Sequence, residues 1–244
     1  MRGLDTRALL RVWENGARAS HTMRGLLLMG AALPQVDADA LMQASIGHRD
    51  AWLLSLREAL FGPGIECLLP CPACGQQIEL DFQVNEVRTA HAQPAQLCDV
   101  PASGTILRFR VPTSADLLAI ESERDPQDAT QQLLQRCWAG ITEAPQAAMP
   151  QPLADEVAVA AAQAIGKADP QAEVLLAISC PSCGHETSLL FDIVSHLWRE
   201  LDHWAGGMLR KVHAMASRYG WSEDSILGMS APRRQAYLEL IGFA

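Results

Sequence analysis

Two short cysteine motifs with the same spacing carry the clearest chemical signal in the sequence. They read C-P-A-C-G at 71–75 and C-P-S-C-G at 180–184. Two intervening residues let both sulfurs of a pair face one ion, and the following glycine allows the positive φ that turns the chain into a strand. Two such pairs supply the complete tetrahedral ligand set of a structural zinc site, which leaves no open position for a catalytic water. The sequence therefore predicts a structural Zn²⁺ bound by Cys71, Cys74, Cys180 and Cys183.

The residues that flank both motifs predict strands, although the motifs lie far apart. Apolar and polar residues alternate at 65–69 and 77–82 around the first pair, and a similar arrangement returns at 173–179 and 187–191 around the second. The 105 residues between Cys74 and Cys180 greatly exceed the roughly 15 to 20 of a compact ribbon. We therefore expect one zinc ribbon split into two halves, with a subdomain inserted between them.

Other interpretations of the cysteines stay open from the sequence alone. In a thioredoxin-like oxidoreductase, C-P-x-C lowers the pKa of its first cysteine, but that dithiol lies at a helix N-terminus, whereas strand patterns follow Gly75 and Gly184 here. Four ordinary buried cysteines would not explain why the pattern repeats with strands on both sides. His185 could replace one of the thiolate ligands or donate a hydrogen bond to one. Cys67 could be a spare ligand, although the alternation of apolar and polar residues around it favours a position in the core.

Helical periodicity dominates on both sides of the β unit. It predicts an N-terminal helical bundle and, from a long apolar stripe that starts near Leu197, three C-terminal helices in series. The middle of the chain combines a strand at 105–111 with helical patterns at 128–138 and 153–165. The fold class is therefore α+β and mostly helical. The predicted units are an N-terminal helical region (1–63), a split zinc ribbon (64–86 plus 173–192), an inserted α/β subdomain (87–172) and a C-terminal helical region (193–244).

Composition and charge exclude several classes of protein. With 244 residues, 49% of them hydrophobic and 19% charged, the chain can form a core and is not disordered or collagen-like. Nineteen basic and 28 acidic residues give a net charge of −9, which argues against nonspecific electrostatic binding to the phosphates of nucleic acid. The sequence lacks an apolar stretch of about 18 residues and a secretory signal pattern, so we expect a cytosolic protein.

Signals for catalysis are absent from the sequence. It contains no G-x-S-x-G, G-x-x-x-x-G-K-[S/T] or G-x-G-x-x-G motif, and its histidines show no metal-protease spacing. Cys98 and Cys137 are expected to be unpaired small apolar residues. We therefore expect a protein that is not an enzyme.

Several segments resemble the bacteriophage baseplate hub subunit and hub assembly chaperone family. They are DAWLLSLREALFG (50–62), CPACG (71–75), FRVPTS (109–114), CPSCGH (180–185) and the stretch 198–237, which includes YGWS and SAPRRQAY. The resemblance implies a non-catalytic assembly factor or component of the baseplate of a contractile phage tail or phage-tail-like injection system. Its partners would be other baseplate or tail proteins of the hub, spike or wedge. The zinc knuckles occur in only part of the family, which makes them a stabilising elaboration.

The C-terminal region offers candidate partner contacts. Its stripe rich in Met and Trp is more typical of a core than of an interface, but Trp221, Arg233, Arg234 and Tyr237 could anchor a partner. The same helices could form a helix-turn-helix with Arg233 and Arg234 opening a recognition helix, which would make the protein a zinc-ribbon nucleic-acid adaptor. The net charge and the acidic pair Glu223 and Asp224 argue against that alternative.

Overall fold

The structure is a computed structural model that describes residues 4–89, 97–102, 104–150 and 153–243. It begins with a bundle of helices, each preceded by a residue whose side chain accepts a hydrogen bond from the first turn. Asp5, Ser20, Asp37 and Ser45 are these capping residues. The helices are α1 (Thr6–Gly16), α2 (His21–Ala32), α3 (Ala38–Gln43) and α4 (Ile46–Phe61).

Two antiparallel hairpins enclose an insertion made of helices and a small sheet. The first hairpin pairs β1 (Gly64–Pro70) with β2 (Gln77–Gln83), and the second pairs β6 (Val174–Ser179) with β7 (Glu186–Phe191). Each hairpin is a separate two-stranded sheet. The elements between them are α5 (Val84–Val87), β3 (Cys98–Ala102), β4 (Thr105–Phe109), α6 (Ser114–Ile120), α7 (Pro126–Cys137), β5 (Trp138–Ile141) and α8 (Asp155–Ala168).

The main core lies between the N-terminal bundle, both hairpins and the long helix α9 (Ile193–Tyr219). Leu28, Leu53 and Leu197 are fully buried in it. Gly16 lets α1 approach α9 closely, because a Cβ at this position would overlap the indole ring of Trp198. The bundle, the hairpins and α9 therefore share one packed interior.

The insertion has a second core and its own ionic cluster. Phe109 and Ala161 are fully buried where the β3-β4-β5 sheet packs against α7 and α8. Asp116, 1% exposed, completes the capping box with Thr113 at the start of α6 and accepts hydrogen bonds from Arg110, Arg136 and Thr113. Burial by itself would raise the pKa of Asp116, but these donors outweigh burial and lower it to about 2.

Two short helices, α10 (Glu223–Leu227) and α11 (Ala231–Leu240), follow α9 and pack against its last turns. Gly220 ends α9 in the left-handed conformation, with φ 67°. Arg7 on α1 donates to the backbone oxygen of Asp224, which joins the start of the fold to its C-terminal helices. None of the helices in the described ranges is both long and apolar enough to cross a membrane.

The mostly helical α+β fold class is confirmed, whereas some local expectations are wrong. The segment 98–102 is a strand that the sequence analysis does not predict: its residues alternate between buried and exposed, but Pro101, which is rare inside strands, obscures the pairing with β4. The chain also turns into β5 at Trp138, where the sequence predicts the last residue of a helix. The four predicted unit boundaries stay a prediction.

Candidate metal centre

Each cysteine pair lies in the turn of its hairpin, and the two turns have the same backbone geometry. In the first, the Cys71 amide donates to the oxygen of Gln76 over 2.8 Å and the Gly75 amide donates to the oxygen of Cys71 over 2.8 Å. In the second, the Cys180 and Gly184 amides make the equivalent bonds, both 2.9 Å long. Gly75 and Gly184 have φ values of 74° and 70°, a conformation that favours glycine. The repeated C-P-x-C-G motif therefore forms the same type of turn in both hairpins.

The fold brings all four sulfur atoms of these turns together. Cys71 Sγ lies 3.8 Å from Cys183 Sγ, and Cys74 Sγ lies 3.8 Å from Cys180 Sγ. All four atoms lie within 4.8 Å of one another. A tetrahedral zinc site with Zn–S bonds of about 2.3 Å has sulfur atoms about 3.8 Å apart. The four thiols are therefore arranged to hold one metal ion, and the two predicted halves of the site do meet.

The two hairpins are related by a sequence offset of 109 residues, which carries Cys71 onto Cys180 and Cys74 onto Cys183. Under this offset the two short sulfur contacts exchange with each other, as they would across a local two-fold axis through the site. The same offset carries Phe82 onto Phe191, and these rings meet edge to face with centroids 5.4 Å apart. Sequence reasoning missed this contact, although the offset of the cysteine motifs could have found it.

Burial is distributed identically in the two pairs. The first cysteine of each, Cys71 or Cys180, is 2% exposed, while the second, Cys74 or Cys183, is exposed. The buried pair packs with Ile78 and Ile178 in a small apolar cluster beneath the site. The apolar layer fixes the turns from below and leaves one side of the site accessible from solvent.

The electrostatics of the sulfur cluster fit a bound cation. Hydrogen bonding from the Cys74 amide is the main cause that lowers the pKa of Cys71 to about 6, and the Ala73 amide acts in the same direction. At Cys183 the His185 amide also favours the thiolate, but hydrogen bonding with the three neighbouring cysteines, together with burial, outweighs it and raises the pKa to about 12. A divalent cation stabilises the thiolate form and would allow all four thiols to ionise.

The other candidate ligands do not belong to the cluster that the described residues form. Cys67 lies in β1, and burial raises the pKa of its thiol. His185 is exposed, and its backbone oxygen accepts the Cys180 amide. Burial raises the pKa of Cys98 and raises that of Cys137 to about 12, so both are poor thiolate ligands.

The cysteine pairs lie in hairpin turns, which is not where a catalytic redox dithiol is normally found. A catalytic C-x-x-C dithiol takes its low pKa from a helix N-terminus. Here each pair follows one strand and leads into the next, so neither motif begins a helix. The geometry favours metal binding over thiol exchange.

Three of the four predicted partner contacts lie together at the C-terminal helices. Trp221 stacks on Tyr219 with ring centroids 4.5 Å apart, and it meets Tyr237 edge to face at 4.8 Å. The guanidinium of Arg233, an exposed residue, lies 5.9 Å from the Tyr237 ring centroid. These side chains form one aromatic surface with a positive charge at its edge.

Arg234 is placed differently from its neighbour. It is 7% exposed, and its guanidinium donates to the backbone oxygens of Leu227 and Met229 at the end of α10. It also reaches Thr6 Oγ1 of α1 at 3.4 Å. The charge of Arg234 therefore satisfies carbonyl groups inside the fold and is turned away from solvent.

Comparison with known proteins gives one match. The family described as "T4 bacteriophage base plate protein" matches residues 29–198, which is more than half of the chain and includes all four clustered cysteines. The match ends within α9, so the C-terminal helices that contribute to the sequence resemblance lie outside it. No curated protein and no solved structure matches the chain significantly. The chain belongs to the T4 bacteriophage base plate protein family.

Proposed function

We propose that the protein is a non-enzymatic assembly factor or structural component of the baseplate hub in a contractile phage tail or phage-tail-like injection system. Membership of the base plate protein family supports a role in building the baseplate. Family membership does not specify the hub or a role in assembly, and these two points are what we propose in addition.

The second part of the proposal is a structural Zn²⁺ bound by Cys71, Cys74, Cys180 and Cys183. One observation carries it: two sulfur contacts of 3.8 Å between the pairs, within a cluster no wider than 4.8 Å. Tetrahedral sites with four thiolates are typical of zinc and of iron, and zinc is the usual ion where the role is structural. Four protein ligands leave no coordination position for a substrate, which supports a role without catalysis.

The metal acts as a brace between distant parts of the chain. The first hairpin follows directly after α4, and the second leads directly into α9. A metal that joins their turns ties the two ends of the insertion together and sets the orientation of the helical regions on either side. In this proposal the chain has four units, which are an N-terminal helical region (1–63), a split zinc ribbon (64–86 with 173–192), an inserted subdomain (87–172) and a C-terminal helical region (193–244).

The proposed partners are other baseplate proteins of the hub, spike or wedge. The surface formed by Trp221, Tyr237 and Arg233 supports this, because aromatic residues and arginine are enriched at the centres of protein interfaces. In this proposal Arg234 supports the surface by holding α10 against α11, while its neighbours make the contacts.

Elemental analysis of the purified chain tests the metal. We expect about one zinc per chain in the natural protein, and none in Cys71→Ser or Cys183→Ser. Cys67→Ser is the matched control, since it changes the same residue type in the same hairpin but outside the cluster. Protein without any metal, or equal metal in Cys71→Ser and in the control, would rule out the site.

Baseplate assembly tests the biological role. Cells that produce the particle but lack this chain should yield few complete baseplates in electron micrographs, and the natural protein should restore them. Detection of the chain in purified particles then separates a component from an assembly factor. Normal particles in its absence would rule out both roles.

A further inference from the structure

The two sulfur contacts between the hairpins each join a buried thiol to an exposed one. The sulfur of Cys71, a residue 2% exposed, lies 3.8 Å from that of the exposed Cys183. The sulfur of Cys180, also 2% exposed, lies 3.8 Å from that of the exposed Cys74. An accessible thiolate beside a second, shielded thiol is the arrangement of cysteines that respond to oxidants.

The other three cysteines of the chain are less open to oxidation. Cys98 and Cys137 are 6% and 0% exposed, and burial raises the pKa of both thiols. Burial also raises the pKa of Cys67 in β1. Peroxides react with thiolates, and a bound metal holds the four clustered sulfurs in that form. An oxidant should therefore act first on the sulfur cluster.

We propose that hydrogen peroxide converts the sulfur cluster from a metal site into two disulfide bonds that join the hairpins. The bonds are Cys71–Cys183 and Cys74–Cys180. This proposal rests on the proposed function for the metal and for the setting. A baseplate component leaves the reducing cytosol when the particle is released, and disulfides persist in the oxidising medium outside the cell.

Each disulfide forms in two steps. The exposed thiolate attacks one oxygen of hydrogen peroxide, the O–O bond breaks, and the products are a sulfenic acid and one hydroxide. The buried thiolate of the opposite hairpin then attacks this sulfur, the S–O bond breaks, and a second hydroxide leaves. The two sulfurs lose two electrons, which the peroxide gains. Two peroxides therefore oxidise all four sulfurs, and the metal leaves as a dication because no thiolate remains to bind it.

The conformation of the turns favours bonds between the hairpins over bonds within a pair. The Gly75 amide donates to the Cys71 oxygen, and the equivalent bond in the second turn preserves the same conformation, in which the sulfurs face the opposite hairpin. The sulfurs of each contact must close from 3.8 Å to about 2.05 Å to form a disulfide. Rotation of the exposed side chains can supply this short movement without opening the turns.

The two kinds of disulfide differ in what they link. A bond between Cys74 and Cys180 encloses 105 residues, as the metal does, whereas a bond within a pair encloses only two. Bonds between the hairpins therefore preserve the brace after the metal has left. The metal and the disulfides are then alternative forms of one link.

Peptide mapping of the full-length, zinc-loaded chain tests the exchange. A small excess of hydrogen peroxide should release the zinc, detected with a colour-forming chelator, at about one ion for every two peroxides consumed. Trypsin cuts each hairpin out as one peptide, 58–88 and 168–199. After oxidation these two peptides should be joined, with a mass lower by four hydrogens, and dithiothreitol should separate them. Cys67→Ser is the matched control and should give the same joined peptides.

Thermal melts test whether the brace survives. The oxidised, zinc-free chain should melt within a few degrees of the zinc-loaded chain, because the same two hairpins are linked in both. The reduced chain, stripped of zinc with a chelator, should melt well below both. Dithiothreitol together with zinc should return the oxidised chain to its original metal content.

Two double variants test the role of the exposed sulfurs. Cys74→Ser with Cys180→Ser leaves one buried and one exposed thiol in contact, whereas Cys74→Ser with Cys183→Ser leaves the two buried thiols. Both variants have two thiols in the cluster, one from each hairpin. The first should join its peptides at least about tenfold faster, because only it has an accessible thiol to react first.

Three outcomes would overturn the proposal. These are release of zinc while the two peptides stay separate, an oxidised chain that melts as low as the reduced zinc-free chain, and equal rates for the two double variants. A chain that holds no metal when purified would instead refute the zinc site of the proposed function. A metal-bearing chain whose peptides stay separate would refute the exchange alone.

Discussion

Replacing Cys71 by serine should uncouple the two hairpins from each other. A serine hydroxyl stays protonated at neutral pH and is a poor zinc ligand, so the remaining three thiolates should release the ion. The expected result is loss of metal together with a large loss of thermal stability. Cys67→Ser serves as the control, because this thiol lies in the same hairpin but outside the cluster.

The magnitude follows from the loop that the metal closes. A link between Cys74 and Cys180 encloses 105 residues, and loop-closure entropy for a loop of about 100 residues corresponds to about 4.7 kcal/mol. In a chain of 150 to 250 residues, 1 kcal/mol shifts Tm by about 2 to 4 °C. Cys71→Ser should therefore lower Tm by roughly 9 to 19 °C.

The assay combines calorimetry with elemental analysis. A chelator should lower the Tm of the natural protein to that of Cys71→Ser and should not lower the variant further, because both treatments remove the same link. Cys67→Ser should keep its metal and respond to the chelator like the natural protein. If Cys71→Ser loses its metal and its Tm falls no further than that of Cys67→Ser, the loop-closure reasoning is refuted.

Three further predictions concern other parts of the fold. Asp116→Asn should lower the free energy of unfolding by about 2 kcal/mol at pH 7, because the pKa of this carboxyl is about 2 in the folded protein and 3.8 in its ordinary state. In urea titrations the difference between the two proteins should fade as the pH drops from about 4 to 2, and a constant difference would contradict this reasoning. Gly16→Ala should lower Tm, because the added Cβ overlaps the Trp198 ring. The same substitution at Gly206, where the Cβ has room, should leave Tm unchanged or raise it, and thermal melts of both variants test the difference. Arg57→Met should lower stability by about 3 kcal/mol at pH 7, since it leaves the half-buried carboxylate of Glu200 on α9 without its arginine partner. Burial by itself would raise the pKa of Glu200, but hydrogen bonding from Arg57 is the main cause that holds it at about 2, so the loss should shrink in acid, and equal loss at pH 7 and pH 4 would argue against this cause.

The candidate metal centre was largely predictable because short local sequence patterns specify its turns and strands. The C-P-x-C-G pattern specifies the turn, and the alternation on both sides specifies the strands. That the distant pairs meet was an inference from their repetition, and the sulfur distances confirm it. The offset of the motifs relates Phe82 to Phe191, but the edge-to-face packing of the two rings depends on how two separate sheets face each other, which the sequence does not show.

Features decided by tertiary contacts escaped prediction. Arg233 and Arg234 look equivalent in the sequence, yet only Arg234 is buried, because α10 ends with carbonyl groups that need a donor within its reach. The strand at Trp138 follows a helix without any loop residue, and its pairing with β4 supplies the hydrogen bonds that the sequence pattern does not show. An apolar groove lined by α1, α2 and α3 likewise depends on how three helices pack and on no single one of them.

The distance along the chain between the two cysteine pairs orders events during synthesis. Translation delivers Cys71 and Cys74 more than a hundred residues before Cys180 and Cys183, so a nascent or truncated chain that stops within the insertion has only half of the ligands. In the proposed zinc site, tight binding of the ion requires all four thiolates and therefore waits until residue 183 has been synthesised. Because β7 leads directly into α9, the proposed site is completed just before the helix that completes the main core, so binding of the proposed ion would report that the insertion has been made in full.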